Sequence, residues 1–402
     1  MRFIALVISC ALIISSGYGE EKKKTICLNM IIKNESPVIE RCLKSVLPII
    51  DTWVIVDTGS TDGTQDIVRK FMKDIPGELH ERPWINFGHN RNEALMLAKG
   101  KADYVLIIDA DESLLYKPGF VLPALDKDFY YITTEYSGTT YVRNQLVKNS
   151  LNWKWIGVLH EVICCDQAST SETLQNIANY VRTDGNRSTD SQKYQKDAKL
   201  LETAMLENPT DTRNQFYLAQ SYRDAEMHEE SLLNYKKRIA LGGWDEEVFW
   251  SHLQVGLLQE TLKYTPEEIR KGYLTACEFR PTRAEPFYRL SFYNRSIGDF
   301  KSCYEAALKG LHLTSTSDLL FVEKWIYDYG LLLEYSIGAY WVEKYHEALL
   351  ASLLLLKDPT LPQHVRECVE RNLVWVNRKI NEAQEKAKAA SAKRPLEPQA
   401  KA

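Results

Sequence analysis

Apolar residues in the first half of the chain fall into short unbroken runs with amphipathic stretches between them. Three runs have strand length and are apolar almost throughout: residues 26–32, 53–57 and 104–109. Strands of this kind are typical of a parallel sheet that is covered on both faces. Three intervening stretches have apolar positions at helical spacing: residues 37–47, 65–73 and 90–98. Together with antiparallel strands over residues 129–136 and 141–148, the pattern predicts an α/β domain.

From about residue 190 the apolar spacing is helical throughout, and it repeats. Phe216-Tyr217 recurs as Phe287-Tyr288, with Phe249-Trp250 between them. A period of about 34–38 residues is that of helix-turn-helix units of the tetratricopeptide type. A non-repeating helical bundle, which would bury the same aromatic side chains, is the alternative.

The two ends of the chain differ from the rest. Arg2 precedes an apolar run over residues 3–14 and then small residues, the order of a secretory signal. Residues 1–19 are therefore predicted to be a signal peptide, which favours the secretory pathway. The alternative is an uncleaved segment that anchors the protein in a membrane. Residues 385–402, rich in Ala, Lys and Pro, are predicted to be disordered. The expected domains are residues 25–190 (α/β) and 191–384 (helical).

The overall charge of the chain bears on one class of partner. The chain has 402 residues and a formal net charge of −4, so nothing in its overall charge favours nucleic acid as a partner.

Two acidic loops follow predicted strands. The loop from Asp57 to Thr64 follows the second strand and opens a helix, and a carboxylate there lies in the crevice where parallel sheets bind ligands. Asp109-Ala110-Asp111 follows a later strand, and two carboxylates at this spacing suit Mg²⁺ or Mn²⁺. Each loop alone is commonly a turn, a helix cap or an exposed acidic segment. The occurrence of both acidic loops in this order favours a site that binds a diphosphate and a metal ion.

With Asn34-Glu35 and the segment around Arg91-Asn92, these loops resemble family 2 glycosyltransferases of the GT-A fold, the Rossmann-like class of nucleotide-sugar transferases. The resemblance covers residues 25–165 and implies a nucleotide-sugar donor. It also implies which side chains contact that donor: Asn34, Glu35, Asp57, Ser60, Arg91, Asn92 and Asp109. Asp109 and Asp111 match the metal-binding Asp-x-Asp of that family.

A later segment, Gly157 to Glu161, resembles an element of family members that carry tetratricopeptide repeats, as does the helical region. The resemblance suggests His160 as a third metal ligand, against the simpler interpretation of a histidine satisfied by its surroundings. It also implies inversion at the anomeric carbon, which needs a general base. Glu161 and Glu112 are the candidates.

Two departures from the family pattern narrow the expectation. Thr58 stands where many members have an Asp that contacts uracil, which weakens the case for a uridine donor. The Gln-x-x-Arg-Trp element of processive synthases is absent from the sequence, which favours a single transfer.

The expected function is therefore metal-dependent transfer of a sugar to a glycan or protein acceptor, with the repeats available to a protein partner. A non-catalytic repeat scaffold with a relic nucleotide-binding domain is the alternative.

Overall fold

A computed structural model describes residues 23–136 and 139–392. The chain forms two compact units, divided between Ser191 and Gln192. The predicted signal or anchor, residues 1–19, lies outside the described residues. No helix in the described ranges has the length and apolar character that a bilayer crossing requires.

The first unit is built on an eight-stranded sheet in the order β3-β2-β1-β4-β7-β6-β10-β5. A separate two-stranded hairpin contains β8 and β9. The strands are β1 (Ile26–Ile32), β2 (Thr52–Asp57), β3 (Gly77–Glu81), β4 (Tyr104–Ile107), β5 (Glu112–Tyr116), β6 (Phe129–Tyr136), β7 (Thr139–Lys148), β8 (Lys154–Ile156), β9 (Val162–Cys164) and β10 (Ser171–Val181). The helices are α1 (Ile39–Val46), α2 (Thr64–Phe71) and α3 (Phe87–Ala98).

Strands β1 to β4 form the parallel part of the sheet. β1 pairs in parallel with both β2 and β4, and β2 with β3. Each of these strands except β3 is buried over most of its length, as the unbroken apolar runs predict. Since the carboxyl ends of parallel strands share one edge, the loops after β1, β2 and β4 are brought together there.

The remaining strands extend the sheet beyond β4. β7 pairs antiparallel with β4 and with β6, which confirms the predicted antiparallel pair. β10 then runs parallel to β6 and antiparallel to β5. The sequence pattern did not predict β3, β5 or β10, because each alternates polar and apolar residues only weakly or carries charged side chains.

The second unit is helical. Its helices are α4 (Lys193–Glu207), α5 (Thr212–Asp224), α6 (His228–Leu241), α7 (Asp245–Thr261), α8 (Pro266–Phe279), α9 (Glu285–Ser296), α10 (Phe300–Gly310), α11 (Leu331–Trp341), α12 (Tyr345–Lys357) and α13 (Gln363–Ala392). A π-helical turn, Ile326–Gly330, leads into α11.

Successive helices pack as pairs joined by short turns, which is the arrangement the repeat predicts. Phe216 on α5 and Phe249 on α7 are fully buried at equivalent places in their pairs, and Tyr293 on α9 joins the same core as Phe249. Residues 385–392 continue α13, so the predicted disorder is wrong for them. Their Ala, Glu and Lys residues are good helix formers that also occur in disordered tails. Residues 393–402 lie outside the described ranges.

Candidate active site

The loop after β2 is built around one buried carboxylate. Asp57 is 1% exposed, and its Oδ1 accepts the N–H groups of Gly59 (2.9 Å) and Ser60 (2.8 Å). Gly59 has a φ of 106°, which side chains strongly disfavour. The other oxygen, Asp57 Oδ2, is buried and accepts no hydrogen bond from any described residue. The loop therefore holds one buried acceptor atom without a partner, which is costly unless a ligand supplies a donor.

The loop after β1 is fastened to the loop after β2 by side chain to backbone hydrogen bonds. Asn34 Oδ1 accepts the Thr61 N–H at 2.7 Å, and the Asn34 N–H donates to Ser60 Oγ at 2.8 Å. The Glu35 N–H donates to Thr64 Oγ1 at 2.9 Å. Asn34 and Ser60 thus shape the two loops, and Asn34 does so with a φ of 56°.

The Glu35 carboxyl group faces the acidic cluster. Its Oε2 accepts the N–H of Asn186 at 3.2 Å. Burial raises the pKa of Glu35 to about 7, and the negative charges of Asp111 and Asp109 add to the rise. A cation in this region would reverse that effect.

Thr58 lies at the position where many family members have an Asp. It is buried, and its hydroxyl donates to the main-chain carbonyl of Ile32 at 3.0 Å. Its side chain therefore stabilises the end of β1.

Arg91 on α3 links two carboxylates. Its Nε donates to Glu161 Oε1 at 2.5 Å and a terminal nitrogen donates to Asp109 Oδ1 at 2.6 Å. The guanidinium also lies 5.0 Å from the ring centre of Trp155. Burial alone would raise the pKa of Asp109, but the charges of Arg91 and Arg143 outweigh it and hold that pKa below its ordinary value.

The start of α3 is fixed by two features. Asn86 caps the helix by accepting the N–H of His89 at 2.8 Å. Gly88 packs against the turn after β8 so closely that a Cβ would lie 2.2 Å from the carbonyl oxygen of Gly157. Asn92 adds a two-way hydrogen bond to the backbone of Trp155, at 2.9 and 2.8 Å. These contacts fix the position of Arg91 relative to the β8–β9 turn.

Arg143 on β7 belongs to this cluster, although the sequence reasoning did not select it. It forms an ion pair with Glu112 and lies 3.8 Å from Asp109 Oδ2. The available signal was a charged side chain within a predicted strand, between Val142 and Asn144. Glu112 is 2% exposed, and its Oε2 accepts the N–H of Asp109 at 3.2 Å. Burial raises the pKa of Glu112, against the opposing charge of Arg143.

Asp111 is the carboxylate of the cluster that has no cationic partner among the described side chains. Arg41 donates to its main-chain oxygen at 3.2 Å, while both guanidinium ends of Arg41 bind the carboxylate of Asp184. Burial raises the pKa of Asp111 to about 6, and repulsion from Asp109 and Glu112 adds to it. Gly185 packs on this side chain, because a Cβ there would lie 2.8 Å from Asp111 Oδ2.

The two remaining candidates lie in the turn between β8 and β9. His160 is exposed and has a φ of 51°, whereas the Glu161 side chain is only 9% exposed because it pairs with Arg91. No three His, Cys, Asp or Glu side chains of the described ranges are grouped to hold a metal ion. The structure therefore does not gather His160 with Asp109 and Asp111 into one ligand set.

The donor set still fits a divalent cation that is shared with a ligand. Mg²⁺ is commonly held by one or two carboxylates together with substrate phosphates. Asp111, with a raised pKa and two acidic neighbours, offers the excess negative charge that such a cation would neutralise. Asp109 lies beside it but is already paired with Arg91.

Comparisons with known proteins show similarity to glycosyltransferases and to a repeat-containing protein. The model of Glycosyl transferase family 2 matches residues 27–127. The prophage-derived glycosyltransferase SunS of Bacillus subtilis is 33% identical over 97 residues, 24% of this chain and 22% of that protein. An uncharacterized glycosyltransferase of Rickettsia prowazekii is 32% identical over 123 residues, 31% of this chain and 38% of that protein.

A TPR repeat-containing protein of Synechococcus elongatus is 35% identical over 91 residues, 22% of this chain and 21% of its own length. The chain thus spans less than two fifths of the length of each of these relatives. Among solved structures, MamA is similar with a TM-score of 0.32 at 12% identity, over 49% of this chain and 92% of its own.

Asn34, Asp57 and Asp109, and Arg91 on α3, all fall within the matched segment, and β1, β2 and β4 are neighbours in the sheet. Residues 27–127 therefore carry a family 2 glycosyltransferase domain, and a tetratricopeptide-like helical unit follows in the same chain.

Proposed function

We propose that the α/β unit transfers a sugar from a nucleotide-sugar donor to an acceptor, with a divalent cation, by inversion and without processivity. The observation that carries this proposal is the uncompensated acidity at the sheet edge. Among the described residues, Asp57 Oδ2 is buried without a hydrogen-bond donor, and the Asp111 carboxylate, whose pKa is raised, forms no ion pair. Both features fit a site that is completed by its ligand.

In this proposal the nucleoside lies at the loops after β1 and β2. Asp57 Oδ2 is the acceptor available to a donor group of the nucleoside, and Asn34, Glu35 and Ser60 surround that loop. Because Thr58 is hydrogen-bonded to Ile32, the base loses one carboxylate contact of the usual family pattern. The choice of base consequently rests on Asp57 and its neighbours.

The diphosphate lies toward Asp111 and Asp109. A bound Mn²⁺ or Mg²⁺ would neutralise the charge that develops on the departing diphosphate. Arg91 holds Asp109 in place through the 2.6 Å hydrogen bond, and Asn92 holds the β8–β9 turn against α3. His160, at the exposed tip of that turn, is proposed to approach the cation when the donor is bound.

The acceptor hydroxyl needs a carboxylate to remove its proton. Glu161 is the better of the two candidates, because it lies in the β8–β9 turn, where it pairs with Arg91. Glu112 begins β5, is buried in the sheet and is enclosed by Arg143. Glu161→Gln is expected to abolish transfer while donor binding persists.

The acceptor is proposed to be a glycan or a protein, and the helical unit is proposed to hold a protein partner. The amino-terminal segment favours action in the secretory pathway or at a membrane.

The test is hydrolysis of a panel of nucleotide sugars by the purified chain, with Mn²⁺ or Mg²⁺ and with a chelator. Metal-dependent release of one nucleoside diphosphate supports the proposal and identifies the donor. No turnover and no binding of any donor would favour the scaffold alternative, with the α/β domain as a relic.

A further inference from the structure

One connection in the helical unit is much longer than the others. Residues 225–227, 242–244 and 297–299 suffice to join neighbouring helices, whereas residues 311–323 separate α10 from the next helical turn. Long connections without regular structure are uncommon in compact domains and are usually functional. We call residues 314–323 the strap.

The strap lies across one helix from each of three successive pairs. Phe321 contacts Phe216 on α5, with ring centres 6.4 Å apart and nearly parallel. It also contacts Trp250 on α7, with ring centres 4.8 Å apart. Further along, Glu323 pairs with Arg289 on α9 at 2.7 Å. A single extended segment can reach α5, α7 and α9 only if these helices line one continuous surface, which we call the strap groove.

The strap backbone is held by side chains of the groove. Glu246 Oε2 accepts the N–H groups of Leu319 (2.8 Å) and Leu320 (2.6 Å). Arg283 donates to the carbonyl oxygens of Leu320 (3.1 Å) and Phe321 (3.3 Å). Because these contacts go to backbone groups, they would be available to another extended peptide as well as to the strap.

Charge fixes the position of the strap along the groove. Arg280 forms a two-pronged pair with Asp318, at 2.5 and 2.6 Å, and Arg283 adds a contact at 3.2 Å. Without the strap, Glu285 would still compensate Arg283, but Arg280 would lose its ion pair with Asp318 and Arg289 its ion pair with Glu323. An occupant of the groove must therefore bring carboxylates to these two places.

The strap is only partly packed into the helical unit: Leu320 packs against the core around Phe216, and the Asp318 side chain is 4% exposed. Leu319 is 86% exposed and Phe321 is 43% exposed, whereas Phe216 beneath is fully buried. Phe321 also has a φ of 48°, an unfavourable conformation for a bulky side chain that surroundings must enforce. Exposed apolar residues and a strained anchor are features of a bound segment that can leave.

We propose that the strap groove is a peptide-binding site that the strap occupies in cis. Its external ligand is an extended peptide with an acidic residue three positions before an aromatic one and a second acidic residue two positions after it. The strap competes with such a peptide for Arg280, Trp250 and Glu246. The inference rests on the helical unit alone, so its outcome is independent of sugar transfer.

The test measures binding of a fluorescent peptide of residues 314–324 to the full chain. In the strap-release variant, Asp318→Asn with Phe321→Ala, the groove side chains are unchanged but the strap has lost two anchors. The variant is expected to bind the peptide at least about tenfold more tightly than the wild type, because the open groove is more populated. Adding Trp250→Ala to the strap-release variant should abolish peptide binding. A peptide that carries Asp318→Asn and Phe321→Ala is the matched control.

A strap-release variant that keeps the wild-type circular dichroism but binds no peptide would overturn the proposal. If that variant does not fold, amide hydrogen exchange of the wild type decides the question. The amides of Leu319 and Leu320 should exchange at least about tenfold faster than those in the middle of α7, because a displaceable strap opens below the global unfolding free energy. Equal protection of the two regions would show that the strap is a permanent part of the fold and would overturn the proposal.

Discussion

Both units bury arginines and carboxylates, but they use them differently. In the helical unit, Arg238 pairs with Glu247 at 2.9 Å and Arg283 with Glu285 at 2.8 Å, all four side chains being at most 5% exposed. At the sheet edge of the α/β unit, by contrast, the described residues offer no such partner to Asp57 Oδ2 or to the Asp111 carboxylate. Removing one member of a closed buried pair is strongly destabilising because the other charge is left uncompensated, whereas unmatched acidity that persists in the folded protein is typical of functional sites.

The largest expected effect is on a closed pair of the helical unit. Arg238→Met leaves the Glu247 carboxylate buried without its cation, and the free energy of unfolding should fall by about 3–5 kcal/mol. Chemical denaturation measures this loss. The double variant Arg238→Met with Glu247→Leu should regain much of the lost free energy of unfolding. If the single and double variants are equally unstable, the uncompensated Glu247 carboxylate is not the cause of the loss.

The matching change at the sheet edge should affect activity and spare stability. Asp111→Asn is expected to lower the rate of donor cleavage by about 10²–10³-fold, as the loss of a charge-stabilising group commonly does. Its melting temperature should be unchanged or higher, because repulsion from Asp109 and Glu112 is relieved. Asp166→Asn, an exposed change in the same unit, is the control and should keep full activity. A large loss of stability in Asp111→Asn would mean that this carboxylate is structural.

A smaller effect is expected where α3 meets the β8–β9 turn. Gly88→Ala places a Cβ 2.2 Å from the Gly157 carbonyl oxygen, so the helix must shift, at a cost of about 1–3 kcal/mol. Thermal unfolding and donor cleavage should both be impaired, because Arg91 and Glu161 move with these elements. Met96→Ala, on the exposed face of the same helix, should change stability by no more than about 0.5 kcal/mol, and an equal effect of both would count against the close packing.

The smallest effect is on the pH dependence of stability. The pKa of Glu35 is raised to about 7 in the folded protein, so the folded state binds more protons than the unfolded state between about pH 4.5 and 7. Stability from this group is present below about pH 4.5 and is lost as the pH rises through 7. Glu35→Gln should therefore melt a few degrees higher than the wild type at pH 8 and at the same temperature at pH 4.5. Identical melting curves at both pH values would contradict the raised pKa.

Much of the α/β fold and of its candidate site could be predicted from the sequence. The continuous apolar runs placed β1, β2 and β4 within two residues, and the family pattern brought Asp57, Arg91 and Asp109 to one edge. The ion pair of Arg143 with Glu112 could not be predicted from the sequence. It depends on β7 lying beside β4, which is a long-range contact. The same holds for the strap: its Ser- and Thr-rich start over residues 314–317 resembles an ordinary linker, and the contacts with Arg280 and Glu246 that hold it are long-range.

The most direct test of the unmatched acidity is calorimetric titration of the wild-type chain with nucleoside diphosphates, with and without Mn²⁺. We expect one diphosphate to bind the wild-type chain only when Mn²⁺ is present. The Asp111→Asn variant should not bind it with or without Mn²⁺. Equal binding with and without the metal, unaffected by Asp111→Asn, would contradict this expectation.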